Sequence, residues 1–292
     1  MSALTNTNLF GITKTEALQK GMEIRNRFQQ IVEKVATTEN GTKYPHTYLF
    51  SPPGIGKTFS VTKYLEQCGK PFVKVSGNVS MFAFGIQLAV INFENIEKEK
   101  VIIFIDDTDG LLSSESSLNQ FKLMLDNPRT FTYEKSLQSQ WSNLTDLQVE
   151  AVKAHQNEKT CGFVVPCENF VFIFGSNIKL PTDDVVSKAR EKNQAKTGIL
   201  SGKNAIRSRC NVYDFDLDHA ELWGFLGDVI LHTNCLDPFE LSNEQKIEIL
   251  NFLWDNWVFL TERSIRLVEK MAIGLNDYPD HYKTIWSIDF LK

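Results

Sequence analysis

Apolar residues fall along this chain in two rhythms. Short apolar-rich runs at Tyr48–Phe50, Phe72–Val75, Val101–Ile105 and Val171–Phe174 have the length of strands, and the continuous run Val101–Ile105 is of the kind buried on both faces. Between them apolar positions recur at helical spacing after Lys57, near Ile86–Phe93 and near Ser116–Leu125. The alternation predicts a parallel sheet with helices on both faces, and it places a ligand site at the carboxyl ends of the strands. A leading helix from about Lys14 to Ala36 is expected from the spacing of Leu18, Met22, Phe28, Ile31 and Val35. From about Asp216 strand signals stop. Helices are expected at His219–Leu231, Asn243–Trp257, Thr261–Leu275 and Asp280–Leu291, with Trp223, Trp254, Trp257 and Trp286 as their core. The expected organisation is an α/β domain over residues 1–215 and a small all-helical domain over 216–292.

The run from Tyr48 to Thr58 sets an apolar strand directly before a loop that a phosphate explains well. Gly54 and Gly56 let backbone N–H groups turn inward, and Lys57 offers a cation to the β- and γ-phosphates. Thr58 offers a hydroxyl to Mg2+ at the start of a helix whose dipole favours anions. The candidate nucleotide-binding stretch is Ser51, Pro52, Pro53, Gly54, Ile55, Gly56, Lys57, Thr58 and Phe59. Ser51 stands where a P-loop usually has its first glycine, and a small residue still fits a tight turn there.

Val101-Ile-Ile-Phe-Ile-Asp106-Asp107 is a buried-strand run ending in two carboxylates, the pattern of a Walker B strand. Asp106 is the candidate Mg2+ ligand, and Asp107 the group that orients or deprotonates the attacking water. Taken alone, such a pair also suits a helix cap or turn; a P-loop at domain-scale spacing before it favours the catalytic reading.

With both motifs in place, the chain resembles the AAA+ ATPase family over nearly its whole length. Phe170-Val-Phe-Ile-Phe-Gly-Ser-Asn177 is similar to that family's sensor 1 strand, which implies a site role for Asn177. Ala205-Ile-Arg-Ser-Arg-Cys210 is similar to the segment carrying the arginine finger. The resemblance makes Arg209 the finger and Arg207 the second candidate, with an ordinary surface ion pair as the competing reading of Arg209. It also implies ATP and Mg2+ as cofactors, and a homo-oligomeric ring, hexameric, because a finger acts in a neighbour's site. In the helical domain the resemblance implies a sensor 2 arginine: Arg263, in the first turn of a helix capped by Thr261, or its competitor Arg266. The family norm after the first Walker B acid is Glu, and this chain has Asp107. Some phage-encoded AAA+ ATPases share the Asp-Asp-x-Asp ending of Asp106–Asp109.

Two further stretches stand out. Over about 127–168, two β-rich runs flank a helix expected at Leu144–His155 and resemble the pre-sensor-1 hairpin of one AAA+ branch. The hairpin either projects toward a ring pore or partner, or packs on its own domain. Ser80-Met-Phe-Ala-Phe-Gly85 stands where protein-threading rings place a pore loop, with Phe82 and Phe84 as grips. The favoured alternative has both phenylalanines beginning a buried helix.

Composition narrows the classes. A 42% hydrophobic chain of 292 residues supplies one large or two moderate cores. No apolar run reaches membrane-spanning length and the N-terminus has no signal-peptide pattern, so no membrane partner and a cytoplasmic location are expected. The formal charge of −5 argues against binding nucleic acid over the whole surface, although positives outnumber acids between Lys179 and Arg209. Five scattered cysteines read as free thiols rather than a zinc site. The expected function is ATP hydrolysis at subunit interfaces that remodels nucleic acid or protein; the alternative is a nucleotide-dependent switch or loader subunit with slow turnover.

Overall fold

The computed structural model describes residues 11–39, 42, 44–137, 139–156, 161–192 and 196–292. The elements run α1 (Lys14–Thr37), β1 (Thr47–Phe50), α2 (Lys57–Gln67), β2 (Phe72–Ser76), α3 (Met81–Glu94), β3 (Val101–Asp106) and α4 (Glu115–Leu125). They continue through β4 (Thr130–Tyr133), α5 (Asp146–Ala154), β5 (Phe163–Pro166), β6 (Phe170–Ser176), α6 (Asp183–Glu191), α7 (Thr197–Arg207) and β7 (Asn211–Asp214). Four helices follow, α8 (His219–His232), α9 (Asn243–Asn256), α10 (Ile265–Asp277) and α11 (Tyr282–Phe290). These elements form two compact units, one of residues 33–51 and 65–215, the other of 52–64, 216–292 and the described part of Met1–Val32.

The first unit holds a five-stranded parallel sheet in the order β2-β3-β6-β1-β7. β3 and β6 are buried at every position, which is why they read as unbroken apolar runs. One face of the sheet packs Ile103, Ile105, Phe172 and Phe174 against Phe84, Leu88, Leu118 and Phe121 of α3 and α4. β7 carries no apolar run, only half-buried and exposed positions on the sheet's edge, and was not expected from the sequence. β4 and β5 form the expected antiparallel hairpin. It packs on its own unit: Phe131 meets Phe84 of α3 edge-on at 6.5 Å, and a Cβ at Gly85 would lie 2.1 Å from the Phe131 ring. The expected helix between the two runs is α5, held by a Thr145/Gln148 capping box. At its end, His155 bonds Asn92 of α3 at 2.9 Å.

Ser80 caps α3 with its hydroxyl, Phe84 is fully buried, and the half-buried Phe82 ring lies tilted at 5.0 Å from Tyr133. Both phenylalanines thus open a helix, of which Phe84 is buried and Phe82 only half-buried.

The second unit has its own core of Trp223, Leu253, Trp257, Met271 and Trp286, with Ala17 of α1 contributing. Trp223 and Trp254 pack edge to face at 4.6 Å. α1 and α8 approach at paired glycines, since a Cβ at Gly21 would lie 2.0 Å from the Gly224 carbonyl oxygen. Beside them the buried Asp228 accepts from both Arg25 and His232. No described helix is long and apolar enough to cross a membrane.

Candidate functional site

β1 hands the chain to the glycine loop at its carboxyl end. Ser51 is fully buried and donates its N–H to the Ser176 carbonyl at 3.3 Å. Gly54 and Gly56 sit at φ +84° and +79°, conformations that L side chains rarely adopt, so these glycines shape the loop as a P-loop requires. Ile55 is buried, Pro52, Pro53 and Phe59 are exposed, and Thr58 is half-buried. Lys57 opens α2 and is only 6% exposed. The first helical bond runs from the Ser60 N–H to the Gly56 carbonyl at 2.9 Å.

α10 starts against this loop. The Ile265 N–H donates to the Gly54 carbonyl at 2.9 Å. A Cβ at Gly54 would lie 2.5 Å from Ser264 Cβ, and one at Gly56 would lie 2.6 Å from Ile265 Cδ1. The glycines are thus required twice, for backbone sign and for close approach. Here the expected helix start needs correction. The cap is Ser264, which accepts from the Leu267 N–H, and not Thr261, whose N–H is engaged by the Phe290 carbonyl. Arg263 therefore precedes the helix; its guanidinium donates to the Trp257 carbonyl at 2.8 Å and lies over the Trp257 ring at 5.6 Å. Arg266 occupies the first turn and is exposed.

The carboxylates stand at the end of β3. Parallel pairing of β3 with β6 sets Asp106 opposite Gly175, so the residues that follow each strand emerge side by side. Asp106 is 2% exposed, and its carboxylate pairs with Lys74 of β2 at 3.1 Å. Asp107 is exposed, has left-handed backbone at φ +48°, and donates its N–H to the Gly175 carbonyl at 3.1 Å. Its Oδ1 accepts from Asn177 Nδ2 at 3.1 Å, which joins two residues 70 positions apart in sequence. Beneath them Ser176 donates to Asp109 at 2.6 Å and accepts from the Ile178 N–H, while the Tyr48 hydroxyl donates to the Ile178 carbonyl at 2.6 Å. Burial pushes the Tyr48 hydroxyl well above the ordinary phenol range, so it stays a neutral donor.

Arg209 follows α7 and is tied within its own chain. Its guanidinium donates to Asp126 Oδ2 at 2.7 and 3.1 Å and to the Ala205 carbonyl at 2.8 Å. Arg207 reaches the Leu180 carbonyl at 3.4 Å. Sequence reading missed both Lys74 and Asp126. A lysine inside the otherwise apolar Phe72–Val75 run was the signal for the first.

Residues 47–147 match the model of AAA, the ATPase family associated with various cellular activities. This segment is an AAA-family ATPase domain. No curated protein matches the chain. The AAA match takes in β1, the glycine loop, β2, α3, the β3 carboxylates and α4, and ends inside α5. With the five-stranded parallel sheet and the helical region after it, the fold is that of a P-loop AAA module. AAA membership carries nucleotide binding with it. The donor chemistry also fits Mg2+, which is held in phosphate sites by one or two protein oxygens together with phosphate and water. Asp106 and Thr58 each carry an oxygen of that kind, and no three His, Cys, Asp or Glu residues cluster around a metal-sized site among the described residues.

Proposed function

We propose that this protein is an AAA+ ATPase that hydrolyses ATP at the subunit interfaces of a homo-oligomeric ring, hexameric, and remodels nucleic acid or protein. The observation that carries the reading is the pairing of Asp107 with Asn177 beside a buried Asp106, on adjacent strands of a chain that also has two positive-φ glycines before Lys57. In this reading the N–H groups of 54–58 and Lys57 bind the phosphates, and Thr58 and Asp106 hold Mg2+. The metal supplies charge neutralisation at the phosphate oxygens. Asp107 accepts a proton from the attacking water, and Asn177 fixes the direction of its carboxylate. Arg209, with Arg207 beside it, acts on a neighbouring subunit's nucleotide after leaving Asp126, and Arg263 or Arg266 serves the γ-phosphate from the helical unit. One observation favours the second reading, a switch or loader subunit with slow turnover: the Arg209 guanidinium is already held by Asp126 of its own chain.

Mixing two inactive variants tests the ring. Asp107→Ala and Arg209→Ala proteins are each expected to bind ATP without hydrolysing it. Mixed assemblies should regain activity where an intact Asp107 meets a neighbour's intact Arg209. Shown co-assembly with no regain, or full activity of dilute monomer, overturns the trans finger.

A further inference from the structure

We propose that Lys74 is a built-in counter-ion for Asp106, a tethered cation that a divalent metal must displace from this carboxylate. The inference rests on the reading of Asp106 as a Mg2+ ligand. Three features of the sheet unit carry it. Parallel register places Lys74 opposite Phe104 and Ser76 opposite Asp106, so Lys74 and Asp106 are diagonal neighbours on one face of the sheet. Their charged atoms lie 3.1 Å apart. The environments of the two partners differ, because the Asp106 side chain is 3% exposed and that of Lys74 is 34% exposed. The carboxylate cannot reach water, whereas the ammonium can swing toward it.

A buried carboxylate is costly unless it is compensated, and Lys74 of β2 contributes a charge to that compensation when no metal is bound. On the other side Gly175 leaves room for the carboxylate, since a Cβ there would lie 3.2 Å from Asp106 Oδ1. A divalent cation at Asp106 meets like-charge repulsion from Lys74 until the lysine moves out to solvent, and that movement is open to a chain a third exposed. Lys74 thus has two separable effects: it stabilises the metal-free protein and it raises the Mg2+ concentration needed to load the site. A lysine at this point of an apolar strand has no packing rationale that a methionine of similar length would not satisfy, so the charge is the part to test.

The experiment compares wild type with Lys74→Met and Lys74→Arg in two measurements. In EDTA, Lys74→Met should melt below wild type, and adding Mg2+ with ADP should recover more of its melting temperature than it does for wild type. In titrations of Mg2+ at fixed ADP, the half-saturating Mg2+ should fall about tenfold in Lys74→Met, as expected for removing one partly solvated like charge beside the metal. Lys74→Arg, which keeps the charge, should follow wild type in both. In an Asp106→Asn background, Lys74→Met should change neither quantity. Mg2+-dependent ADP binding in wild type that Lys74→Met leaves unchanged overturns the role of Lys74 while the metal-ligand reading of Asp106 stands. ADP binding that does not depend on Mg2+ in any variant overturns that reading of Asp106 and the role of Lys74 with it.

Discussion

His46 sits at the amino end of β1 and is fully buried. Its Nδ1 accepts the Phe172 N–H at 3.2 Å, and its carbonyl accepts the Asn211 N–H at 2.9 Å, so one residue joins β1 to both neighbouring strands. Burial, with the Arg129 guanidinium adding to it, lowers the imidazole from 6.5 to about 3. Between those values the unfolded chain binds a proton that the folded chain refuses. Stability therefore falls as pH drops through this window and is fully present above it. The full shift corresponds to about 5 kcal/mol, of which about 2 kcal/mol is lost by pH 5. The perturbation is His46→Asn, whose side-chain oxygen can accept the Phe172 N–H without titrating in this range. Urea unfolding of both proteins at pH 8 and pH 5 isolates the imidazole. Wild type should lose about 2 kcal/mol more than the variant between the two pH values. Equal losses would refute the reasoning, because a neutral buried His46 could then not be what links proton uptake to unfolding.

Lys57→Ala should abolish or strongly weaken ATP binding by calorimetry, since it removes the cation that opens α2; unchanged affinity would sink the loop assignment. Asn177→Ala should leave ATP affinity near wild type and cut turnover roughly tenfold or more, as expected for freeing a catalytic carboxylate from its orienting partner; steady-state kinetics read the split. Gly54→Ala should destabilise the protein by about 1–3 kcal/mol through its positive φ and its clash with Ser264. Adding Ser264→Gly should recover part of that loss in thermal melts, and no recovery would mean the Ser264 contact is unimportant.

Much of the architecture was legible because its signals are local. β3 and β6 are buried end to end and so read as strands, and α3, α4, α8 and α9 carry periodicities that the structure reproduces within a few residues. β7 escaped because an edge strand of Asn, Val, Tyr and Asp buries too little to leave a pattern. The start of α10 was misplaced because Thr261 and Ser264 are both good caps, and the choice between them is made by the distant Phe290 carbonyl. The site divides in the same way. Motif spacing pointed to Asp106 and Asp107 and the family resemblance to Asn177, whereas the partners Lys74 and Asp126 depend on strand register and on a contact 83 residues apart.

The left-handed backbone at Asp107 bears on which amino acids this position can accept. At φ +48° Asp and Asn are the side-chain-bearing residues most at ease, since their short polar groups tolerate that region, while longer acids meet the steric cost of an ordinary L residue. An acid one methylene longer would gain reach and strain the turn that holds the Gly175 bond. The local turn thus favours the shorter acid at this position, although Lys98 and Glu240 adopt the same backbone sign elsewhere in the chain. Asn keeps the path and loses the charge, which makes Asp107→Asn a cleaner removal of the base than any substitution that also disturbs the backbone.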